Sequence, residues 1–209
     1  MTQAATTAQA VEPLEAGRTL RADARRNRQA VIDAAKQLFA EQGLDAQIPD
    51  LARHAGVGVG TVYRHFPTKE QLIAAIAGEH FDRIAARARE NLESADPWDG
   101  LCDFIRFSVQ IQADDRGLSE VMSSRPDVIE AAARAAGLVE ISEELVQRAQ
   151  DSGQLRPDVD WQDMPMIVCG LGHVTHDGPP PSAGRWPRLV ELIIDGLRAP
   201  GSGSLPPPP

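Results

Sequence analysis

The sequence predicts an all-α protein of about nine to ten helices: a head of three helices (residues 21–68) with a helix-turn-helix, then a larger helical bundle, the body (residues 69–198). The composition is rich in Ala, Leu, Glu and Arg, which are strong helix formers. Apolar residues recur at intervals of three and four along successive segments. No segment shows the alternation of β-branched residues that is typical of a strand. A chain of 209 residues is also long enough to bury a core.

The head consists of one long and two short predicted helices. The first runs from Ala24, and Gly43 supplies its stop because glycine readily takes the left-handed conformation found after helices. The second covers residues 48–55, with a proline in its first turn, where a missing N–H is tolerated. The third covers residues 59–66, after a turn that begins at Gly56. The apolar positions of the first helix are Val31, Ile32, Ala35, Leu38 and Phe39.

The body opens with a long helix that a capping box starts. Thr68 and Gln71 have the T-x-x-Q pattern, in which each side chain bonds the other residue's N–H, and the helix continues to about Leu92. Asp96 followed by Pro97 marks the next helix, because Asp caps and Pro fits the first helical position. Outside one polar stripe that helix is apolar, which predicts burial around most of its circumference. Further helices are predicted near residues 117–122, 127–151, 161–175 and 187–198.

The two ends of the chain differ in composition from the region between them. Residues 1–20 are mostly small, polar and aperiodic, and they are predicted to form a disordered arm. Residues 199–209 are a Pro/Gly/Ser tail and are predicted to be unstructured. The predicted domains are therefore the head over 21–68 and the body over 69–198.

The net charge of −9 is unevenly distributed along the chain. Residues 1–80 carry nine basic and nine acidic side chains, whereas residues 81–209 carry twelve and twenty-one. Within the first part, "RTLRADARRNR" holds five arginines against one aspartate. A basic arm on a neutral segment indicates a protein that meets a polyanion with one end only.

The sequence favours a cytoplasmic protein. No apolar run approaches the ~20 residues that cross a bilayer, and the N-terminus has no signal-peptide pattern. Two cysteines, Cys102 and Cys169, exclude a disulfide framework and suit a reducing compartment. We therefore expect no membrane partner.

The short helix over residues 59–66 carries the clearest functional pattern. Val62 and Phe66 lie four residues apart and are predicted to face the core. The outward set offers hydroxyl, guanidinium and imidazole groups without a carboxylate, so it can donate hydrogen bonds to phosphates and guanine edges. Lys69 follows in the first turn of the next helix, whose free N–H groups favour an anion. The predicted outward set is Val59, Gly60, Thr61, Tyr63, Arg64 and His65.

The segment from about Arg25 to Leu72, densest in "LARHAGVGVGTVYRHFPTKEQL", resembles the TetR family of bacterial transcriptional regulators. The resemblance implies that the head binds DNA and that the body binds a ligand and dimerises. It implies base or groove contact by Val59, Gly60, Thr61 and Arg64, and phosphate contact by Tyr63, His65, Lys69 and Gln47. Two positions depart from the family pattern, since Gln47 and Gly58 stand where side-chain caps are usual.

Several of these residues have structural alternatives. Tyr63 could pack on the core of the head, and His65 could be a buried structural histidine. Arg25 and Arg26 could touch the DNA backbone or minor groove, as arms do, or could belong to a solvated tail. The glycines at 56, 58 and 60 superficially suggest a phosphate loop, but no strand precedes them and no GK[ST] ending follows.

The body contains no catalytic motif, so no enzyme activity, cofactor or metal is predicted. Cys169 and His173 stand four apart on a predicted helix, but two ligands do not make a metal site. His80, flanked by isoleucines at four residues on either side, is expected to be a hydrogen-bonded core histidine.

Two further sets of body residues are candidates for binding surfaces. Bundles form mostly apolar ligand cavities between helices. The candidate pocket residues are Phe104, Phe107, Ser108, Ile111, Met122, Met166 and His173. The last two helices have broad apolar faces that suit a symmetric homodimer. The candidate interface residues are Met166, Gly170, Val174, Val190, Ile193, Ile194 and Leu197.

Together these observations predict a homodimeric transcription factor, a repressor that a small-molecule effector releases from a palindromic operator in double-stranded DNA. The long helix over residues 69–92 would transmit the effector's influence to the heads. The alternative is a small-molecule-binding or enzymatic helical protein with a helix-turn-helix appendage. A third hypothesis is an interaction module whose head binds protein.

Overall fold

The computed structural model describes residues 12–177, 184–200 and 203–206, with side chains from residue 21 onward and without those of 176 and 177. The predicted all-α fold is confirmed: ten α-helices and one 3₁₀ turn (Gly43–Asp45) make up the described regular structure. No helix in this part of the chain is long and apolar enough to cross a membrane. The helices are α1 (Glu12–Gln42), α2 (Ile48–His54), α3 (Val59–His65), α4 (Lys69–Leu92), α5 (Pro97–Asp114), α6 (Arg116–Met122), α7 (Pro126–Ala135), α8 (Leu138–Asp151), α9 (Asp163–Asp177) and α10 (Trp186–Leu197).

The start of α1 differs from the prediction. The helix begins at Glu12, so residues 12–20, which the sequence analysis assigned to a disordered arm, are helical. Their composition permits this, because Leu, Glu, Ala and Arg are good helix formers and Pro13 falls in the first turn. Residues 1–11 of the predicted arm lie outside the described residues.

The helix predicted over residues 127–151 is wrong in one respect, because it is two helices. Gly137 has φ +75°, in the left-handed region, and this conformation ends α7 and starts α8. The Arg89 side chain donates a hydrogen bond of 3.2 Å to the Ala136 carbonyl at the end of α7. The unbroken helical periodicity on both sides of this glycine hid the break.

The head packs α1, α2 and α3 around one apolar centre that includes Leu38, Phe39, Leu51 and Val62. Its tight turn depends on Gly56, whose φ of +67° is unfavourable for other residues. The Val57 N–H then bonds the Ala52 carbonyl at 3.0 Å, which closes the end of α2. This turn fixes the angle at which α3 leaves α2.

The body surrounds α5, which contacts α4, α6, α8, α9 and α10. As predicted, α5 is buried except along the stripe that includes Arg106 and Gln110. The two predicted starts are also confirmed. Thr68 accepts a hydrogen bond from the Gln71 N–H at 3.3 Å, and Asp96 accepts one from the Trp98 N–H at 2.9 Å.

The described part of the C-terminal tail contains no helix, and it contacts the body. Asp158 accepts a hydrogen bond of 2.7 Å from the Leu205 N–H, and the Arg156 guanidinium donates to the Gly203 carbonyl. Arg156 is itself buried and also pairs with Asp158. The tail is therefore tied to the loop between α8 and α9 at these residues, which the prediction of an unstructured 199–209 did not foresee.

Candidate nucleic-acid interface

The two sides of α3 differ as predicted. Val62 and Phe66 are buried in the head, whereas Tyr63 is 51% exposed and Val59 is 41% exposed. Arg64 is also exposed and forms no salt bridge within the described part of the chain. The carboxylate-free side of the helix therefore lies at the protein surface.

Gly60 lies at the centre of this exposed side. A Cβ atom at Gly60 would meet no atom of the described residues within 4 Å, so packing against this part of the chain does not require glycine there. The missing side chain leaves the helix backbone open to close approach by a partner. The neighbouring Thr61 is half-buried.

The two aromatic residues with structural alternatives behave differently. The exposure of Tyr63 leaves its phenol free to contact a partner, which favours the binding role over core packing. His65 is half-buried, and its Nε2 is buried without a hydrogen-bond partner among the described residues. Burial, with help from the charges of Arg64 and Arg28, lowers the pKa of His65. A neutral, half-buried imidazole supports the structural role of this residue.

Gln47 and Lys69, which were also predicted to contact a partner, are less free to do so. The Nε2 of Gln47 donates a hydrogen bond of 2.7 Å to the Asp45 carbonyl, and its side chain does not cap α2. Lys69 is half-buried with its Nζ 5.7 Å from the centre of the Phe39 ring. This ammonium therefore lies against the head, near the start of α4.

The two arginines of the basic arm are both exposed on α1. Arg26 pairs with Asp23 one turn earlier, whereas Arg25 forms no salt bridge in the described residues. Sequence reasoning missed Arg28, whose guanidinium lies 5.4 Å from the centre of the Phe66 ring at the end of α3. No sequence pattern shows this contact, because the two residues meet only when α1 packs on α3.

The predicted pocket residues do not converge on one cavity. Phe104, Ser108 and Ile111 are buried in the core, and the Ser108 hydroxyl donates to the Phe104 carbonyl of its own helix at 2.7 Å. Met122 is half-buried, while Met166 is 76% exposed and His173 is exposed as well. The prediction of a pocket lined by Met166 and His173 is therefore wrong for the single chain, since both point outward.

Phe107 does line a cleft, which opens between α5 and α10 and has a volume of about 310 Å³. Arg106 and Glu191 span it with two hydrogen bonds of 2.6 and 2.8 Å. The bond from Arg106 lowers the pKa of Glu191, so this carboxylate stays charged. Sequence reasoning missed most of the lining because it comes from two helices far apart in the chain. The lining residues are Asp103, Arg106, Phe107, Gln110, Trp186, Pro187, Val190 and Glu191.

The predicted interface set divides between two sides of the last helices. Val190, Ile194 and Leu197 are buried in the core of their own chain, so their assignment to a partner contact is wrong. Helix α10 is apolar on two sides, and only packing shows which one the chain itself covers. The remaining predicted residues are exposed or half-buried: Met166, Gly170, Val174 and Ile193. We define the α9–α10 face as Met166, Gly170, Leu189, Leu192 and Ile193.

Two families of known proteins match successive parts of this chain and together cover most of it. Residues 31–76 match the family described as bacterial regulatory proteins, tetR family. Residues 96–199 match the family described as the C-terminal domain of transcriptional regulators that are SbtR-like.

Similar individual proteins span both parts. The transcriptional regulator UidR of Escherichia coli is 30% identical over 148 residues, which are 67% of this chain and 74% of UidR. The repressor Rv1474c of Mycobacterium tuberculosis is 29% identical over 82% of this chain and 92% of its own length. The crystal structure of a TetR regulatory protein from Mycobacterium vanbaalenii is 37% identical, covers 86% of this chain and 99% of its own, and superimposes with a TM-score of 0.57.

Proposed function

Since this chain belongs to the TetR family of bacterial transcriptional regulators and is a DNA-binding regulator, we propose that it represses transcription from a palindromic operator until a small molecule binds its body. In this proposal residues 21–68 bind DNA, and residues 69–198 bind the effector and dimerise. The protein acts in the cytoplasm, where a bacterial operator lies.

The observation that carries this proposal is the exposed, carboxylate-free side of α3. A short helix of this kind fits the major groove, where guanidinium and hydroxyl groups bond base edges and phosphates. In our proposal Arg64 and Thr61 contact base edges, Val59 and Gly60 approach the groove floor, and Tyr63 bonds a phosphate.

The further DNA contacts in our proposal depend on whether each side chain is exposed and whether it is already bonded within the protein. Arg25 is exposed and forms no salt bridge among the described residues, so we assign it to a phosphate contact. Lys69 is half-buried against the Phe39 ring, and we assign it the same role with a smaller contribution. Arg26, Gln47 and His65 are already paired, bonded or half-buried, so we expect each to contribute less.

The α9–α10 face supports a homodimer. Exposed leucine and methionine side chains on the outer sides of two adjacent helices are what a symmetric four-helix contact buries. A two-fold dimer places two copies of α3 at half-sites that are roughly 34–36 Å apart, which is one turn of B-DNA or a multiple of it. The operator is therefore palindromic.

The cleft between α5 and α10 is our candidate for the effector site. Phe107 and Trp186 supply aromatic surface, and the pair of Arg106 and Glu191 supplies polar groups that orient a ligand. A ligand that binds better to one spacing of the heads shifts the population toward that spacing. DNA and effector then weaken each other reciprocally, by typically ~1–3 kcal/mol.

Selection of bound duplexes from a random DNA pool tests the proposal. The expected result is enrichment of one palindrome whose half-sites are spaced by about one helical turn or a little more. Its affinity should also fall steeply with added salt, because phosphate contacts release counterions. A pool without any enriched sequence would reject the assignment of a specific operator.

A further inference from the structure

The cleft between α5 and α10 has a single basic residue in its lining, Arg106 of α5. Its Nε and one terminal nitrogen donate hydrogen bonds of 2.6 and 2.8 Å to the two carboxylate oxygens of Glu191 on α10. In the described part of the chain this pair is the one salt bridge that joins α5 to α10. A guanidinium that binds a carboxylate through two parallel hydrogen bonds has the geometry by which arginine recognises carboxylates in general.

The pair between Arg106 and Glu191 is exposed enough to be exchanged. The two side chains are 46% and 55% exposed. An ion pair at such a position changes an equilibrium constant by about fivefold or less, because both charges are well hydrated when they separate. A second carboxylate can therefore replace Glu191 on Arg106, and Glu191 returns to water at little cost.

Asp103, the other acidic residue of the lining besides Glu191, is already paired with a different helix. Arg87 on α4 donates hydrogen bonds of 2.8 and 3.3 Å to its carboxylate. Burial by itself would raise the pKa of Asp103, but the bonds from Arg87 and the nearby guanidinium charges lower it below the ordinary value. A cationic ligand would have to share both carboxylates of the cleft with arginines that already hold them.

The first turn of α10 favours an anion over a cation. Trp186 and Pro187 belong to this turn, and both line the cleft. The turn has no acidic residue, whereas Arg185 precedes it and Arg188 lies within it. The N-terminus of a helix carries a partial positive charge, which adds to these two basic residues. A negative group is therefore favoured at this end of the cleft, although the chain as a whole has a net charge of −9.

The nonpolar part of the lining suits an aromatic ring. Phe107 of α5 and Trp186 of α10 are both half-buried and come from the two helices that form the cleft. Aromatic rings pack favourably against one another in offset or edge-to-face arrangements. An apolar cavity of about 150 Å³ accepts benzene. The cleft volume of about 310 Å³ therefore has room for one ring with a short side chain.

We propose that the effector is an aromatic carboxylate, whose carboxylate replaces Glu191 on Arg106 and whose ring packs against Phe107 and Trp186. This inference rests on the proposed function, because it names the chemical class of effector that the cleft accepts. Without ligand, Glu191 occupies the position of the effector's carboxylate and holds α10 to α5. Binding of the effector releases that contact.

Isothermal titration of the full chain without DNA tests the class of ligand. The probes are phenylacetate and 3-phenylpropionate, each compared with its neutral amide and with the amine of the same length. We expect at least one carboxylate to bind with a Kd of about 1 mM or below, and its amide and amine to bind about tenfold more weakly or worse. Tighter binding of an amine would assign a cationic ligand, and equal binding of all three would show that only ring packing matters. Either result would overturn the inference.

Two variants test the exchange on Arg106. Glu191→Gln removes the competing carboxylate and keeps the size of the side chain, so the carboxylate probe should bind about fivefold more tightly. A cationic ligand would instead lose affinity in this variant. Arg106→Gln should weaken the carboxylate about tenfold or more and leave the amide unchanged. The matched control is Glu130→Gln on α7, where the carboxylate also pairs with an exposed arginine but lies outside the cleft lining, and it should bind like wild type.

The outcomes separate this inference from the proposed function. Both substituted positions of the cleft are exposed, so the variants should fold, and circular dichroism checks this. Unchanged or weaker carboxylate binding by folded Glu191→Gln would overturn the exchange. The tightest carboxylate is then added to the complex with the selected palindrome, and it should release the DNA. A carboxylate that binds without affecting DNA would not be the effector class, and the repressor function would stand. Failure of the wild-type protein to bind any palindrome would instead reject the proposed function.

Discussion

The head and the last two helices of the body present apolar and polar residues at similar helical spacing, yet they differ in how far the sequence predicts their roles. On α3, two core residues and an exposed polar side follow directly from the pattern. On α10, apolar residues lie on two sides, one covered by the chain itself and one left exposed. An exposed polar residue that the core does not need indicates a binding function. An apolar residue that suits both a core and an interface does not indicate which of the two it belongs to.

The largest effect should come from the exposed side of α10. Leu192 is 57% exposed on the α9–α10 face, so Leu192→Glu would place a charge in the proposed dimer contact. Loss of the dimer removes the avidity of two heads, and operator affinity should fall by about 100-fold or more. Sedimentation should show a monomer. Leu205→Glu, at an exposed leucine of the tail, is the control, and a dimeric Leu192→Glu variant would refute this face.

The buried side of the same helix should respond in stability. Ile194 is buried in the core of its own chain, so Ile194→Ala should lower the free energy of unfolding by about 2–5 kcal/mol through lost burial and a cavity. Denaturant unfolding measures this, and Ile193→Ala, one residue along at a half-buried position, is the comparison. Equal losses for the two variants would remove the distinction between the sides of α10.

On the head, the sharpest test is Arg64→Ala. Loss of a guanidinium contact to a base edge should weaken operator binding by about 1–3 kcal/mol and relax specificity at one position of each half-site. Arg134→Ala removes the same charge from an exposed arginine of α7 and is the control. A fluorescence titration measures both variants. If they bind alike, the effect of Arg64 is general electrostatics.

The smallest expected effect is the pH dependence of stability that His80, at the boundary between head and body, should cause. Its folded-state pKa of about 3 lies below the ordinary 6.5, so between these values the unfolded chain binds a proton that the folded chain does not. Its contribution to stability is therefore complete above pH 6.5 and declines as the pH falls toward 3. The slope is at most about 1.4 kcal/mol per pH unit.

Unfolding measured from pH 7 to pH 5 checks this dependence. His80→Leu should lose less stability than wild type over this interval, since leucine has no proton to bind. His54→Leu, at an exposed histidine of α2, should keep the wild-type slope. Identical slopes for His80→Leu and wild type would contradict the assignment of a neutral buried imidazole.

Particular residues show why the sequence predicted some features and missed others. The caps at Thr68 and Asp96 and the turn at Gly56 act within a few residues of their own position, so their patterns are visible in the chain. The break at Gly137 was missed because strong helical periodicity on both sides concealed one local signal. The cleft was missed because its lining residues, such as Phe107 and Trp186, come from helices that are far apart in the chain.

The sequence by itself determined the helical class, the helix-turn-helix with its exposed basic side, and the resemblance to the TetR family, because these depend on local periodicity, capping and turn chemistry. Only the tertiary structure decided which side of α10 is core, that α1 meets α6 at Gly117, and that the buried His80 ring forms no hydrogen bond with the described residues. These features arise when distant helices pack against one another. Helical spacing states which residues share a side of a helix, but it does not state what covers that side.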